Sequence, residues 1–116
     1  MMGAEVTLKE DVDGAMLSEA VEALRERYPY FYVRSRMTEN DIVLVPNPLP
    51  VTVRRTWEPV TFNTGESNYH LMAVKYEGRR LAVEISHCIT DGAGFVPYIK
   101  SLLFLYLSAK TGESFD

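Results

Sequence analysis

Residues 81–94 read Leu81-Ala82-Val83-Glu84-Ile85-Ser86-His87-Cys88-Ile89-Thr90-Asp91-Gly92-Ala93-Gly94. Successive side chains of a strand point to opposite faces, so Leu81, Val83, Ile85 and His87 share one face while Ala82, Glu84 and Ser86 share the other. A histidine therefore ends an apolar row. Four residues later comes an aspartate, followed by two glycines on either side of Ala93, which allow a tight turn from strand to helix. Asp91 is placed to orient a histidine or to brace its loop. On spacing alone two readings stand level: a core histidine beside a capped turn, and a histidine that moves protons.

On the C-terminal side, 93–110 reads as a helix. Phe95, Val96, Ile99, Leu102, Leu103, Phe104, Leu105, Tyr106 and Leu107 nearly encircle it, so it needs partners on more than one side. Pro97 is tolerated because it falls in the first turn, where its missing N–H has no intrahelical acceptor. Thr111-Gly112 supplies the stop. On the N-terminal side, 69–76 and 81–86 are two strands joined through Glu77-Gly78-Arg79-Arg80, a hairpin pattern. Residues 56–68 have no clear period and read as a surface loop, and 51–55 as a short edge strand after the stiff connector of Pro46, Pro48 and Pro50. Residues 30–37 and 42–45 form a further strand pair around the turn 38–41. A helix is expected over 14–27, capped by Asp13, with Leu17, Ala20, Val21, Leu24 and Tyr28 on its inner face and Pro29 ending it. A short strand over 5–9 precedes it.

This pattern predicts an α+β, two-layer sandwich with two main helices on a mostly antiparallel sheet, forming one domain over 1–116. The whole chain has 116 residues, 47% hydrophobic and 24% charged, which fits one packed core and excludes a disordered or fibrous chain. The net charge of −4 argues against nucleic acid and against an anionic membrane as partners. A single cysteine, Cys88, rules out an intrachain disulfide, and the N-terminus has no apolar signal region, so a cytoplasmic location is expected. His70, His87, Cys88 and Asp91 lack the paired short spacings of zinc sites, and no metal is expected. Cys88 reads as a small core residue. Trp57, Tyr30, Phe31 and Tyr32 read as core or interface, since no basic surface accompanies them.

The segment His87 to Gly92 resembles the H-x-x-x-D-G motif of the chloramphenicol acetyltransferase-like superfamily, which includes condensation domains of nonribosomal peptide synthetases and CoA-dependent acyltransferases. The surrounding order is similar to the bacterial alcohol acetyltransferase-like branch: Val6-Thr7-Leu8-Lys9-Glu10, then Val12-Asp13 and a helix, Arg27-Tyr28-Pro29-Tyr30-Phe31, and after the motif Phe95, Leu102-Leu103 and Tyr106-Leu107. The resemblance implies that His87 is a general base that takes a proton from an alcohol or amine acceptor attacking an acyl thioester. It implies acyl-CoA, acetyl-CoA among the candidates, as co-substrate and no permanently bound cofactor. Asp91 would be a structural organiser paired with an arginine. Arg34 is the expected partner, although Arg36 has the same side-chain parity. Gly92 would serve the motif backbone.

Two departures follow. Many members carry two adjacent histidines, whereas Ser86 precedes His87 here. Family enzymes are built from two similar halves with the active-site tunnel between them, and this chain matches only the N-terminal, histidine-bearing portion. CoA-contacting positions lie largely outside that portion, and the chain alone is expected to be inactive. The alternative is a non-catalytic truncated module that self-assembles as a homo-oligomer through its apolar C-terminal helix, in place of the missing C-terminal half.

Overall fold

Two packed layers organise the chain. In the computed structural model, which describes residues 2–86 and 94–111, a four-stranded sheet lies under two helices, and a two-stranded hairpin projects beside it. The elements are β1 (Met2–Thr7), α1 (Gly14–Ala23), β2 (Val33–Met37), β3 (Ile42–Pro46), β4 (Val53–Arg55), β5 (Met72–Glu77), β6 (Arg80–Ile85) and α2 (Phe95–Thr111). Sheet order is β1-β6-β5-β4. The β1–β6 and β5–β6 pairs are antiparallel, and β4 joins β5 in parallel as the expected short edge strand. The expected α+β architecture with a mostly antiparallel sheet is what the chain adopts.

Residues of one parity form the core. Leu81, Val83 and Ile85 of β6 and Met72 and Val74 of β5 face Leu17, Val21 and Leu24 of the α1 region and Phe95, Tyr98, Leu102 and Tyr106 of α2. The Asp13 carboxylate accepts from the Met16 N–H at 3.1 Å, as the sequence leads one to expect for the helix cap. The Tyr106 hydroxyl accepts from the Asp13 main-chain N–H at 2.8 Å, which ties the start of α1 to α2. The four buried side chains of α2 recur at three- and four-residue steps, so one stripe enters the core while Val96, Phe104 and Leu107 stay partly exposed.

The other sheet face is polar and held by charge. Lys75 pairs with Glu84 at 3.2 Å, and both are nearly buried. Trp57 covers this face, with the Lys75 ammonium 5.4 Å and the Arg80 guanidinium 4.3 Å from its ring centroid.

Several boundaries differ from those read in the sequence. β1 runs over Met2–Thr7 rather than 5–9. α1 ends at Ala23 with Leu24 as its cap, and the backbone leaves through turns before Pro29 is reached. Pro29–Phe31 form one turn of 3-10 helix, so the strand expected from 30 starts at Val33. Phe31 and Tyr32 are buried as expected, but Tyr30 is 52% exposed. The strand expected from 69 starts at Met72, because Asn68 and Tyr69 both adopt left-handed backbone conformations that no strand tolerates.

Candidate functional site

His87, Asp91 and Gly92 lie outside the described residues, so the site is built from what flanks them. Ile85, fully buried, fixes the end of β6, and the Ser86 N–H donates to the Leu71 carbonyl at 2.9 Å. Beyond the motif, Phe95 and Tyr98 plant the first turn of α2 in the core. The segment 87–93 is thus tethered at both ends to packed residues.

The anchor under α2 is aromatic. Tyr98 lies 4.7 Å from Phe31 and 5.3 Å from Tyr28, ring centre to ring centre, the latter edge-on. Its hydroxyl shares a hydrogen bond with that of Tyr32 at 2.9 Å, and Tyr32 also donates to the Val21 carbonyl. Burial raises both phenols above the usual tyrosine range, so both stay neutral hydrogen-bonding groups. The Tyr28 hydroxyl reaches Ser101 Oγ at 2.9 Å. This network places two α2 residues, Tyr98 and Ser101, on polar partners from the chain that follows α1.

Arg34 stands on β2, exposed, with its guanidinium 5.2 Å from the Tyr69 ring centroid. Tyr69 lies two residues before Leu71, whose carbonyl accepts from the Ser86 N–H. Tyr69 keeps a φ of 65°, held there by its N–H bond to the Thr64 carbonyl at 2.8 Å. A tyrosine in this conformation leaves no sequence signal, and its composition reads instead as the start of a strand. Arg36 is also exposed on the same hairpin.

His70 is a different kind of histidine. It is fully buried, and its Nε2 is 2.6 Å from the Leu49 carbonyl; since a carbonyl only accepts, Nε2 carries the proton. Nδ1 is then an acceptor, and it has no hydrogen-bond partner among the described residues. Arg25 donates to the same Leu49 carbonyl at 2.8 Å and to Asn47 O at 2.5 Å. Burial pushes the His70 imidazole below the usual histidine range; the Leu49 bond opposes this, Arg25 adds to it, and Glu22 opposes it. His70 is a neutral structural residue that fastens the 47–51 connector. Among the described residues no three His, Cys, Asp or Glu side chains gather as a metal-binding group, and no helix is long and apolar enough to cross a membrane.

No family model and no curated protein sequence matches the chain. Solved structures do. Polyketide synthase associated protein 5 from Mycobacterium tuberculosis aligns over 94% of this chain and 29% of its own, with a TM-score of 0.71 and 20% identity. The two share an α+β fold of two helices on a mixed sheet. The epimerization domain from the third module of tyrocidine synthetase B aligns over 99% of this chain and 31% of its own, with a TM-score of 0.70 and 11% identity. F. sporotrichioides TRI101, complexed with coenzyme A and T-2, aligns over 99% of this chain and 38% of its own, with a TM-score of 0.51 and 15% identity. The chain therefore spans about three-tenths of the length of the first two structures it matches.

Proposed function

We propose that this chain is the histidine-bearing portion of an acyltransferase that moves an acyl group from acyl-CoA to an alcohol or amine. The observation that carries this reading is the sequence His87-Cys88-Ile89-Thr90-Asp91-Gly92 lying between β6 and α2, in a chain whose described residues adopt part of the acyltransferase fold. Coenzyme A in the TRI101 complex supports a CoA thioester as donor.

In the proposed reaction, the neutral His87 imidazole accepts the proton of the acceptor hydroxyl as its oxygen attacks the thioester carbonyl. The new C–O bond gives a tetrahedral oxyanion, the C–S bond then breaks, and the proton passes to the departing thiolate. The products are an ester and free CoA; an amine acceptor gives an amide by the same steps. An imidazole suits both halves because its ordinary pKa lies near neutrality. Asp91 would organise the loop that presents His87. Arg34 is the proposed partner, and Gly92 would supply backbone freedom to the motif. Oxyanion stabilisation, a large term in acyl transfer, would come from the remainder of the fold, so the isolated chain is expected to turn over little or not at all.

The test is to sequence the gene beyond the codons for Met1 and Asp116, express the entire open frame, and follow thiol release from acetyl-CoA with a panel of alcohols and amines. His87→Ala should lower turnover by about two to four orders of magnitude while the thermal midpoint holds. Near-normal turnover in that variant would reject the role of His87. An open frame that stops at Asp116 and yields an inactive protein would favour the truncated module.

A further inference from the structure

The connector 47–51 between β3 and β4 is held by polar bonds more than by packing. Of its side chains only Val51 belongs to the buried apolar core, while Leu49 is 40% exposed. Its main chain meets side chains from two other parts of the fold. Arg25, just past α1, donates to the carbonyls of Asn47 and Leu49, and the Glu22 carboxylate accepts from the Val51 N–H at 3.3 Å. From the loop before β5, the Asn68 amide donates to the Pro50 carbonyl and His70 Nε2 to that of Leu49. Segments with few buried apolar contacts are the ones that open first from a native state.

His70 is fully buried against this connector, and its Nδ1 has no hydrogen-bond partner among the described residues. Its own backbone is pinned: the N–H donates to the Ser67 carbonyl at 3.1 Å, and the carbonyl accepts from the Asn63 N–H at 2.9 Å and from Ser67 Oγ at 3.2 Å. An imidazolium needs an acceptor or water at both nitrogens. With the backbone of His70 fixed, water reaches Nδ1 when the connector lifts. The neighbouring groups do not supply an acceptor. Glu22 is engaged by Arg25 at 3.0 Å and by Val51, and Arg25 itself opposes a second positive charge. Tyr32, edge-on to the imidazole at 6.4 Å, has its hydroxyl committed to Val21 and Tyr98. Glu66 pairs with Arg54, and Tyr69 stacks under Arg34. The connector itself carries no titratable side chain.

We infer that His70 is a pH-released latch: on acidification the connector 47–51 and β4 lift from α1 and β5 while the helix-on-sheet core stays folded. In the open form the imidazole is solvated and takes up a proton at the ordinary histidine value of about 6.5. The open population therefore grows by up to about tenfold between about pH 7.5 and 5.5. β4 follows the connector because it is three residues long and directly continues it. The core stays because Leu17, Met72, Val83, Tyr98 and Leu102 pack on one another, with Val51 the connector's one contribution. This inference stands independently of any role for His87.

The test is native-state hydrogen exchange on the full chain, isotope-labelled, across that pH range, with each rate divided by the intrinsic rate at its pH. The Val51 N–H, bonded to Glu22, and the Val74 N–H, bonded to the Thr52 carbonyl at 3.0 Å, report the connector and β4. Amides of β6 and α2 report the core. Val51 and Val74 should lose protection by about fivefold to tenfold as pH falls, and the core amides by less than about twofold. In His70→Gln, which cannot titrate, the protection of Val51 and Val74 should not change with pH. The unaltered protein gives a second answer if that variant does not fold: its His70 ring signals should shift only as Val51 and Val74 lose protection. A ring that protonates while both amides stay protected would overturn the proposal. So would a parallel loss at the core amides, which describes global unfolding, or a pH-dependent loss that persists in His70→Gln, which assigns it to a carboxylate such as Glu22.

Discussion

Acidification should weaken this fold through His70 before the bulk of its carboxylates titrate. The buried imidazole donates from Nε2 to Leu49, and its Nδ1 faces no partner among the described residues. Protonation would place an N–H there without an acceptor and a second positive charge beside Arg25, which already bonds the same Leu49 carbonyl. Glu22, 3.0 Å from Arg25 and within 3.3 Å of the Val51 N–H, offsets only part of that charge. The folded chain therefore holds His70 neutral at pH values where the unfolded chain binds a proton.

The sign follows directly. Because the folded value is depressed, the unfolded state binds more protons below the ordinary histidine value of about 6.5. Stability is full above that pH and falls as pH drops toward the folded value, with a limiting slope of about 1.4 kcal/mol per pH unit for one proton. Urea unfolding followed by Trp57 fluorescence at a series of pH values between about 7.5 and 5 measures this slope. His70→Gln keeps a neutral amide donor near the position of Nε2 and cannot titrate. It should cost about 1 kcal/mol near pH 7.5, and the gap to wild type should narrow as pH falls. A gap that stays constant over the whole range would refute the reasoning, since it would mean that His70 titrates alike in both states.

Two further outcomes follow from the packing. Leu102, fully buried between α1 and the sheet, should cost about 3 kcal/mol when replaced by alanine, read as a shift in urea midpoint at unchanged slope. Asp13→Ala removes the carboxylate that caps α1 and should cost about 1 kcal/mol by the same measurement, whereas Asp13→Asn should recover most of it.

How much of this was legible in the sequence depends on how local each signal is. The cap at Asp13, the inner face of α1 and the alternation of Leu81, Val83 and Ile85 need only the period of the chain, and they were read correctly. The edge position of β4 was also legible, but its parallel pairing to β5 was not. That pairing depends on the route of the 46–52 connector, which is fixed by Arg25 and His70 reaching Leu49 from distant parts of the chain. The start of β5 was misplaced for a related reason. Tyr69 looks like a strand residue by composition, yet tertiary bonds hold it left-handed. Of the candidate site, the motif was read from sequence alone, and the described structure contributes its setting.

That setting bears on why a motif of short range needs a large fold. A general base must be held within hydrogen-bond reach of its substrate, so what fixes the chain on either side of the motif matters to its chemistry. Its two ends are fixed by different means. The β6 end is fixed by ladder bonds on both sides, to β1 and to β5, and by the burial of Ile85. The α2 end is fixed by Phe95 and by Tyr98, whose hydroxyl is locked to Tyr32 and through it to the main chain of α1. The aromatic residues 28, 31 and 32 thus connect α1 to the helix that follows the motif, although 66 residues separate Tyr32 from Tyr98. On the proposed function, those residues would position the catalytic loop without touching substrate, which accounts for three of the four largest fully buried side chains, Tyr32, Tyr98 and Phe31, meeting at the root of α2.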